Sequence, residues 1–127
     1  MAFLIKVWLG QAQSITIFLK SHHTLLAGGK WHTLSLIEQM ANIGSEVSRA
    51  KEWQEKNEKY FENAITRAFE LLDLTIQDAR WRTRLKELTR AREILADATL
   101  GGKEYKSSLE DLERYFYHFA LAARIHK

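Results

Sequence analysis

The densest run of chemically capable side chains in this chain is Arg80-Trp81-Arg82-Thr83-Arg84-Leu85-Lys86, continued by Arg90 and Arg92. On a helical period Arg82, Lys86 and Arg90 stand one turn apart and form a basic ridge, with Arg80 and Arg84 on an adjoining row. Cations in the first turns of a helix oppose its dipole, so stability alone does not select them there. The planar arginine fork donates two bonds to a phosphate, and an exposed indole such as Trp81 stacks on a base, which together make a nucleic-acid contact. A solvated helix face accounts for the same residues if acids of a neighbouring helix pair with them. Glu52, Glu55, Glu58 and Glu62 are the candidates for that role, and Trp81 itself begins an apolar stripe as a core residue would.

Other reactive patterns are weaker. Arg114 and His118 lie one turn apart, where the imidazole could move a proton beside a charge-stabilising guanidinium. A surface Arg beside a satisfied His is the better account of the pair. His22, His23 and His32 include two neighbours that point to different faces, with no carboxylate in their segment, so loop histidines are expected rather than metal ligands. The absence of Cys removes disulfides, thiolate zinc sites and Cys nucleophiles. No Glu-x-x-His occurs, so the di-iron chemistry of some helical bundles is not expected, and Glu46 and Glu70 read as ion-pair or cap partners. With no Ser-His-Asp elbow, phosphate loop or dinucleotide fingerprint either, the expectation is a non-enzymatic protein with no catalytic residue, metal or cofactor.

The elements that would carry the ridge follow from periodicity. The chain has 127 residues, 19 basic and 16 acidic, with no Pro. That length is one domain, and the missing Pro favours helices. Lys6, Lys20 and Lys30 precede the first acid, Glu38, so the remaining 16 basic residues face 16 acids. The body is neutral overall, and nucleic-acid binding must therefore rest on a local patch.

Ser35-Leu36-Ile37-Glu38 has capping-box form, and Leu36, Met40, Ile43, Val47 and Ala50 follow on one stripe, with Ala41 and Gly44 beside it to admit a close partner helix. Asn57 breaks or caps. A second helix, predicted over 58–77, buries Phe61, Ala64 or Ile65, Ala68, Leu72 and Ile76. Asp78 caps a third, with Trp81, Leu85, Leu88, Leu95 and Ala98 inward and Gly101-Gly102 as its terminator. A fourth starts at Ser107 or Ser108 and carries Leu109, Leu112, Phe116, Phe119 and Ala123. Short links favour antiparallel neighbours, so the expected fold is an all-α, antiparallel up-down four-helix bundle over 30–127. Tyr115, Phe116, Tyr117 and Phe119 cover more than one stripe, which points to a homo-oligomer interface at Tyr115 and Phe119.

Residues 1–29 differ in kind. Two apolar runs, 2–9 and 15–19, are separated by Gly10 and a polar stretch, and either helix or strand fits them. They lack the pattern of a signal peptide, and Lys6, Gln11, Gln13 and Ser14 interrupt the roughly 20 apolar residues that a membrane span needs. The expectation is an amino-terminal arm hinged at Gly28-Gly29 on a cytoplasmic protein without membrane attachment.

Asn42-Ile43-Gly44-Ser45-Glu46-Val47-Ser48-Arg49 resembles the Asn-Ile-Ala-Glu-Gly-x-x-Arg signature of the small four-helix-bundle proteins encoded in ribosomal RNA intervening sequences. Asn42, Ile43 and Arg49 fall on matching positions, and Phe61, Ala64, Glu70 and Leu71 are spaced as in that family's second helix. The resemblance covers about residues 36–77. It implies a non-enzymatic, ring-shaped homo-oligomer. Through the accessory variability proteins of diversity-generating retroelements, a basic branch of that family, it also implies a reverse transcriptase and its RNA as partners. Arg114-Tyr115-Phe116-Tyr117-His118 resembles the Arg-and-His motif of HEPN ribonucleases, which are also helical bundles, and implies RNA cleavage by Arg114 and His118 as the competing activity.

Overall fold

The computed structural model describes residues 30–102 and 107–125. The arm 1–29, with His22, His23 and the Gly28-Gly29 hinge, lies outside the described residues. Within them all regular structure is helical: α1 (Leu36–Trp53), α2 (Glu58–Ile76), α3 (Leu85–Thr99) and α4 (Leu109–Ile125), with short 3-10 segments at Trp31–Thr33 and Ala79–Arg84.

Local chemistry sets the ends of these helices. Ser35 Oγ accepts the Glu38 N–H at 3.2 Å and Glu38 Oε1 accepts the Ser35 N–H at 3.1 Å, so the capping box forms as expected. The turn after α1 takes its left-handed step at Glu55, with φ 66°, and leaves Asn57 to cap α2 by accepting the Tyr60 N–H at 3.0 Å. At the end of α3, Gly101 and Gly102 both adopt positive φ. The Gly102 N–H reaches the Asp97 carbonyl at 2.8 Å and the Gly101 N–H the Ala98 carbonyl at 3.4 Å, the paired bonds of a Schellman motif. Of the two serines before α4, Ser108 is the cap, accepting the Asp111 N–H at 3.2 Å.

One helical stripe from each element meets in a single core. Leu36, Met40, Ile43, Val47 and Ala50 of α1 pack with Phe61, Ala64, Ile65, Ala68 and Leu72 of α2, Leu88 and Leu95 of α3, and Leu112 and Phe116 of α4. α1 packs along both α2 and α4, while α3 touches α2 and α4 more lightly. Gly44 is what lets α4 approach: a Cβ built there would lie 2.6 Å from the Cβ of Phe116. Trp31, in the first 3-10 segment, is 1% exposed and belongs to this core, although no period pointed to it.

The third helix departs from its expected form. Asp78 does cap, but the segment it caps is the 3-10 stretch Ala79–Arg84, and Trp81 leaves helical geometry at φ −104°, ψ 25°. Regular α-helix resumes only at Leu85. Trp81 is half-buried and Leu85 is 37% exposed, so neither starts the core stripe of α3. A 3-10 turn advances three residues per turn instead of 3.6, so residues before Leu85 fall out of phase with those after it.

Glu70 sits on the buried side of α2. Burial raises its carboxyl to about 7, with Arg67 opposing and Asp73 adding to the shift. The sign follows: an acid whose folded value lies above its unfolded value near 4.5 stabilises the fold while protonated, and loses that contribution as pH rises through about 7. Glu70→Gln is expected to stabilise the protein by about 1–2 kcal/mol above about pH 8, an advantage that fades below about pH 5. Urea denaturation at the two pH values checks this; a pH-independent difference would remove the ionisation argument.

Candidate nucleic-acid interface

The start of the basic run is held by a buried polar hub. Gln39 on α1 is fully buried, donates from Nε2 to the Trp31 carbonyl at 2.9 Å, and accepts the Trp81 indole N–H at 2.8 Å on Oε1. Asp78 accepts from Arg80 through Nε at 3.1 Å and Nη2 at 2.7 Å, and its Oδ2 also lies 3.4 Å from His32 Nδ1. The Arg80 guanidinium beside it, helped by the Arg80 N–H, His32 and Gln39, holds the Asp78 carboxyl well below the usual carboxylate range in spite of burial. Arg80 also reaches the Leu34 carbonyl at 2.9 Å and lies over the Trp81 ring at 4.4 Å. The link before α1, α1 itself and the 3-10 stretch are thereby tied at one point.

The six basic residues of the run divide by what they touch. Arg80 is paired with Asp78, Arg84 with Glu87 at 2.7 Å, and Arg92 with Asp73 at 2.8 Å while lying 5.2 Å over the Phe69 ring. The acids found against them are Asp78, Glu87 and Asp73, where the sequence suggested Glu52, Glu55, Glu58 and Glu62. Arg82 and Lys86 are exposed and make no ion pair among the described residues. Arg90 is exposed one turn beyond Lys86. The ridge is therefore not one continuous helical row: Arg82 belongs to the 3-10 stretch, and Lys86 and Arg90 to α3.

Tyr115 and Phe119 are engaged within the chain. The Tyr115 hydroxyl donates to Glu87 Oε1 at 3.0 Å, its ring meets Phe116 and Phe119 edge-on, and burial together with Glu87 pushes the phenol up. What α4 leaves outside is Tyr117, Leu121 and Ile125, at 52%, 37% and 75% exposure and four residues apart. Arg114 pairs with Asp111 at 2.8 Å and lines a groove beside Gly44, whereas His118 opens on a different groove with Arg80, Trp81 and Arg84. The Arg and His of the ribonuclease-like motif thus face separate grooves.

The residues of the Asn42–Arg49 signature do local work: Asn42 donates to the Glu38 carbonyl at 2.8 Å, Ile43 is in the core, and Arg49 pairs with Glu46 at 2.6 Å. Arg67 of α2 lies 3.6 Å from the same carboxylate. Sequence reasoning missed the Gln39 hub and Trp31, because a lone Gln on a stripe edge and a Trp outside any period carry no pattern. Among the described residues no helix is long and apolar enough to cross a membrane, and no group of three His, Asp or Glu side chains is placed to hold a metal ion. No protein-family model, curated protein or solved structure matches this chain.

Proposed function

We propose that this chain is a non-enzymatic, oligomeric helical bundle of the cytoplasm that binds RNA or DNA through Arg82, Lys86 and Arg90. One observation carries the reading: Arg82 and Lys86 are exposed cations without an acid partner among the described residues, and they flank a helix start whose dipole disfavours them. Arg80, Arg84 and Arg92, neutralised by their own acids, contribute position more than charge. In this reading the four helices run up and down as antiparallel neighbours; each packs against the next in the chain and α4 returns to α1. The exposed Tyr117, Leu121 and Ile125 supply apolar surface for a second subunit. Partnership with a reverse transcriptase rests on the resemblance of residues 42–49 alone.

The test is a salt titration of binding to a labelled oligonucleotide. Changing Arg82, Lys86 and Arg90 together to Gln should weaken binding about ten- to hundredfold and flatten the salt slope by about two to three, since a phosphate that the protein no longer neutralises keeps its condensed counterion. Equal affinity and slope before and after would end the reading. Light scattering on the same sample should give several times 14.8 kDa; a monodisperse single-chain mass would remove the oligomer. The same apolar stripe favours a second reading, a protein-interaction module without nucleic-acid affinity.

A further inference from the structure

We propose that the groove between the 3-10 stretch, the start of α1 and the second half of α4 receives an unpaired base of a bound nucleic-acid strand, so that the ligand of the ridge is single-stranded. This rests on the reading just given. The groove encloses about 690 Å³, more than one base requires. Ile37, Trp81, Phe119 and Ala122 supply an apolar floor, and Arg80, Arg84 and His118 stand around it.

The three cationic or imidazole side chains are suited to stacking rather than to phosphate. Arg80 and Arg84 are each paired with an acid, at 2.7 Å in both cases, so their charge is matched and their planes are oriented, with one face of Arg80 already over the Trp81 ring at 4.4 Å. A planar, neutralised guanidinium oriented in this way offers its free face to a base at reduced entropic cost. The Trp81 indole N–H is already taken by Gln39, so the floor has few donors with which to read one base over another. Stacking without readout tolerates any sequence.

Phosphate contact and base contact are adjacent. Arg82 sits between Trp81 and Thr83, both of which line the groove, and carries no acid partner among the described residues. The Arg82 side chain does not itself line the groove, but its Cα stands one residue, about 3.8 Å, from those of Trp81 and Thr83, which do, so a strand held at Arg82 has a base within reach of the groove mouth. A duplex keeps its bases stacked inside and cannot place one there without unpairing it. An exposed cation next to the groove in the chain and an apolar floor within it thus select a strand whose bases are free.

The experiment compares three fluorescein-labelled probes on the full chain: a mixed-sequence single strand, the same strand in duplex form, and a sugar–phosphate strand lacking bases. The intact strand should bind about tenfold tighter than either of the others, as one stacked base provides. Phe119→Leu should bring the intact strand down to the affinity of the base-free strand. Ala122→Phe, which fills the groove without altering charge, should do the same and serves if Phe119→Leu disturbs the fold. An intact strand that binds no tighter than the base-free strand, or an advantage that survives Ala122→Phe, would overturn the groove while leaving the ridge standing. Failure of all three probes to bind would overturn both.

Discussion

Asp78→Ala is expected to lower the unfolding free energy by about 3 kcal/mol. The carboxylate is 8% exposed and accepts at once from the Arg80 side chain, from the Arg80 N–H at 3.1 Å, and from Gln39 at 3.5 Å, with His32 at its edge. Its loss removes a cap, worth about 1 kcal/mol. It also removes one acceptor from Gln39, which keeps the Trp31 carbonyl, and leaves a guanidinium that spans two segments with only the Leu34 carbonyl among the described residues. Because Arg80 holds Asp78 well below its ordinary value of 3.8, the contribution is full above that value and is lost only as pH falls through the lower, folded value. The gap between wild type and variant should therefore persist through mildly acid pH. Asp78→Asn keeps the acceptor for the Arg80 N–H but not the charge, and should cost about half as much. Urea denaturation followed by circular dichroism measures all three proteins. A loss below about 0.5 kcal/mol would mean that the hub does not hold the 3-10 stretch.

Gly44→Val should be as damaging, at about 3 kcal/mol, for a steric reason. The atom that a new Cβ meets is the Phe116 Cβ at 2.6 Å, which is anchored to the α4 backbone and cannot swing aside. Either α1 and α4 move apart, opening the core around Phe116 and Leu112, or α1 distorts. Gly44→Ala meets the same atom but gains about 1 kcal/mol of helix propensity, so its net cost should be smaller, about 1–2 kcal/mol. Ser45, next in sequence but exposed, is the control: Ser45→Ala should be nearly neutral. A Gly44→Ala variant more stable than wild type would show that the two helices do not approach as described.

The first, second and fourth periods, the Ser35 cap and the Gly101-Gly102 terminator were legible in the sequence because each is a local rule, and Asn57 was legible as either a break or a cap. Gly44 as a point of close approach was legible for the same reason: a small residue beside an apolar stripe has few other uses in a helix. The 3-10 stretch was not, since Asp78 caps a 3-10 turn and an α-helix alike, and the tether to Gln39 that bends the chain at Trp81 spans about forty residues. Spacing placed Arg82, Lys86 and Arg90 together but could not say which cations already had acids. Glu87 and Asp73, which settle that for Arg84 and Arg92, become partners only once the helices are packed. Spacing showed that the aromatic residues of α4 cover more than one stripe, while the division into half-buried Tyr115 and Phe119 and exposed Tyr117 depended on where α3 lay.

Asp97 on α3 grips the chain on both sides of the link to α4. Its carbonyl takes the Gly102 N–H at 2.8 Å and its carboxylate takes the Ser107 hydroxyl at 2.7 Å. The exit of one helix and the approach to the next are thus buckled to a single residue, and the separation of those two points is set by Asp97 rather than by the length of what joins them. For protein engineering, lengthening the connection costs about 0.6 kcal/mol of loop-closure entropy for each doubling, and Asp97, Gly102 and Ser107 are the residues that an insertion has to keep.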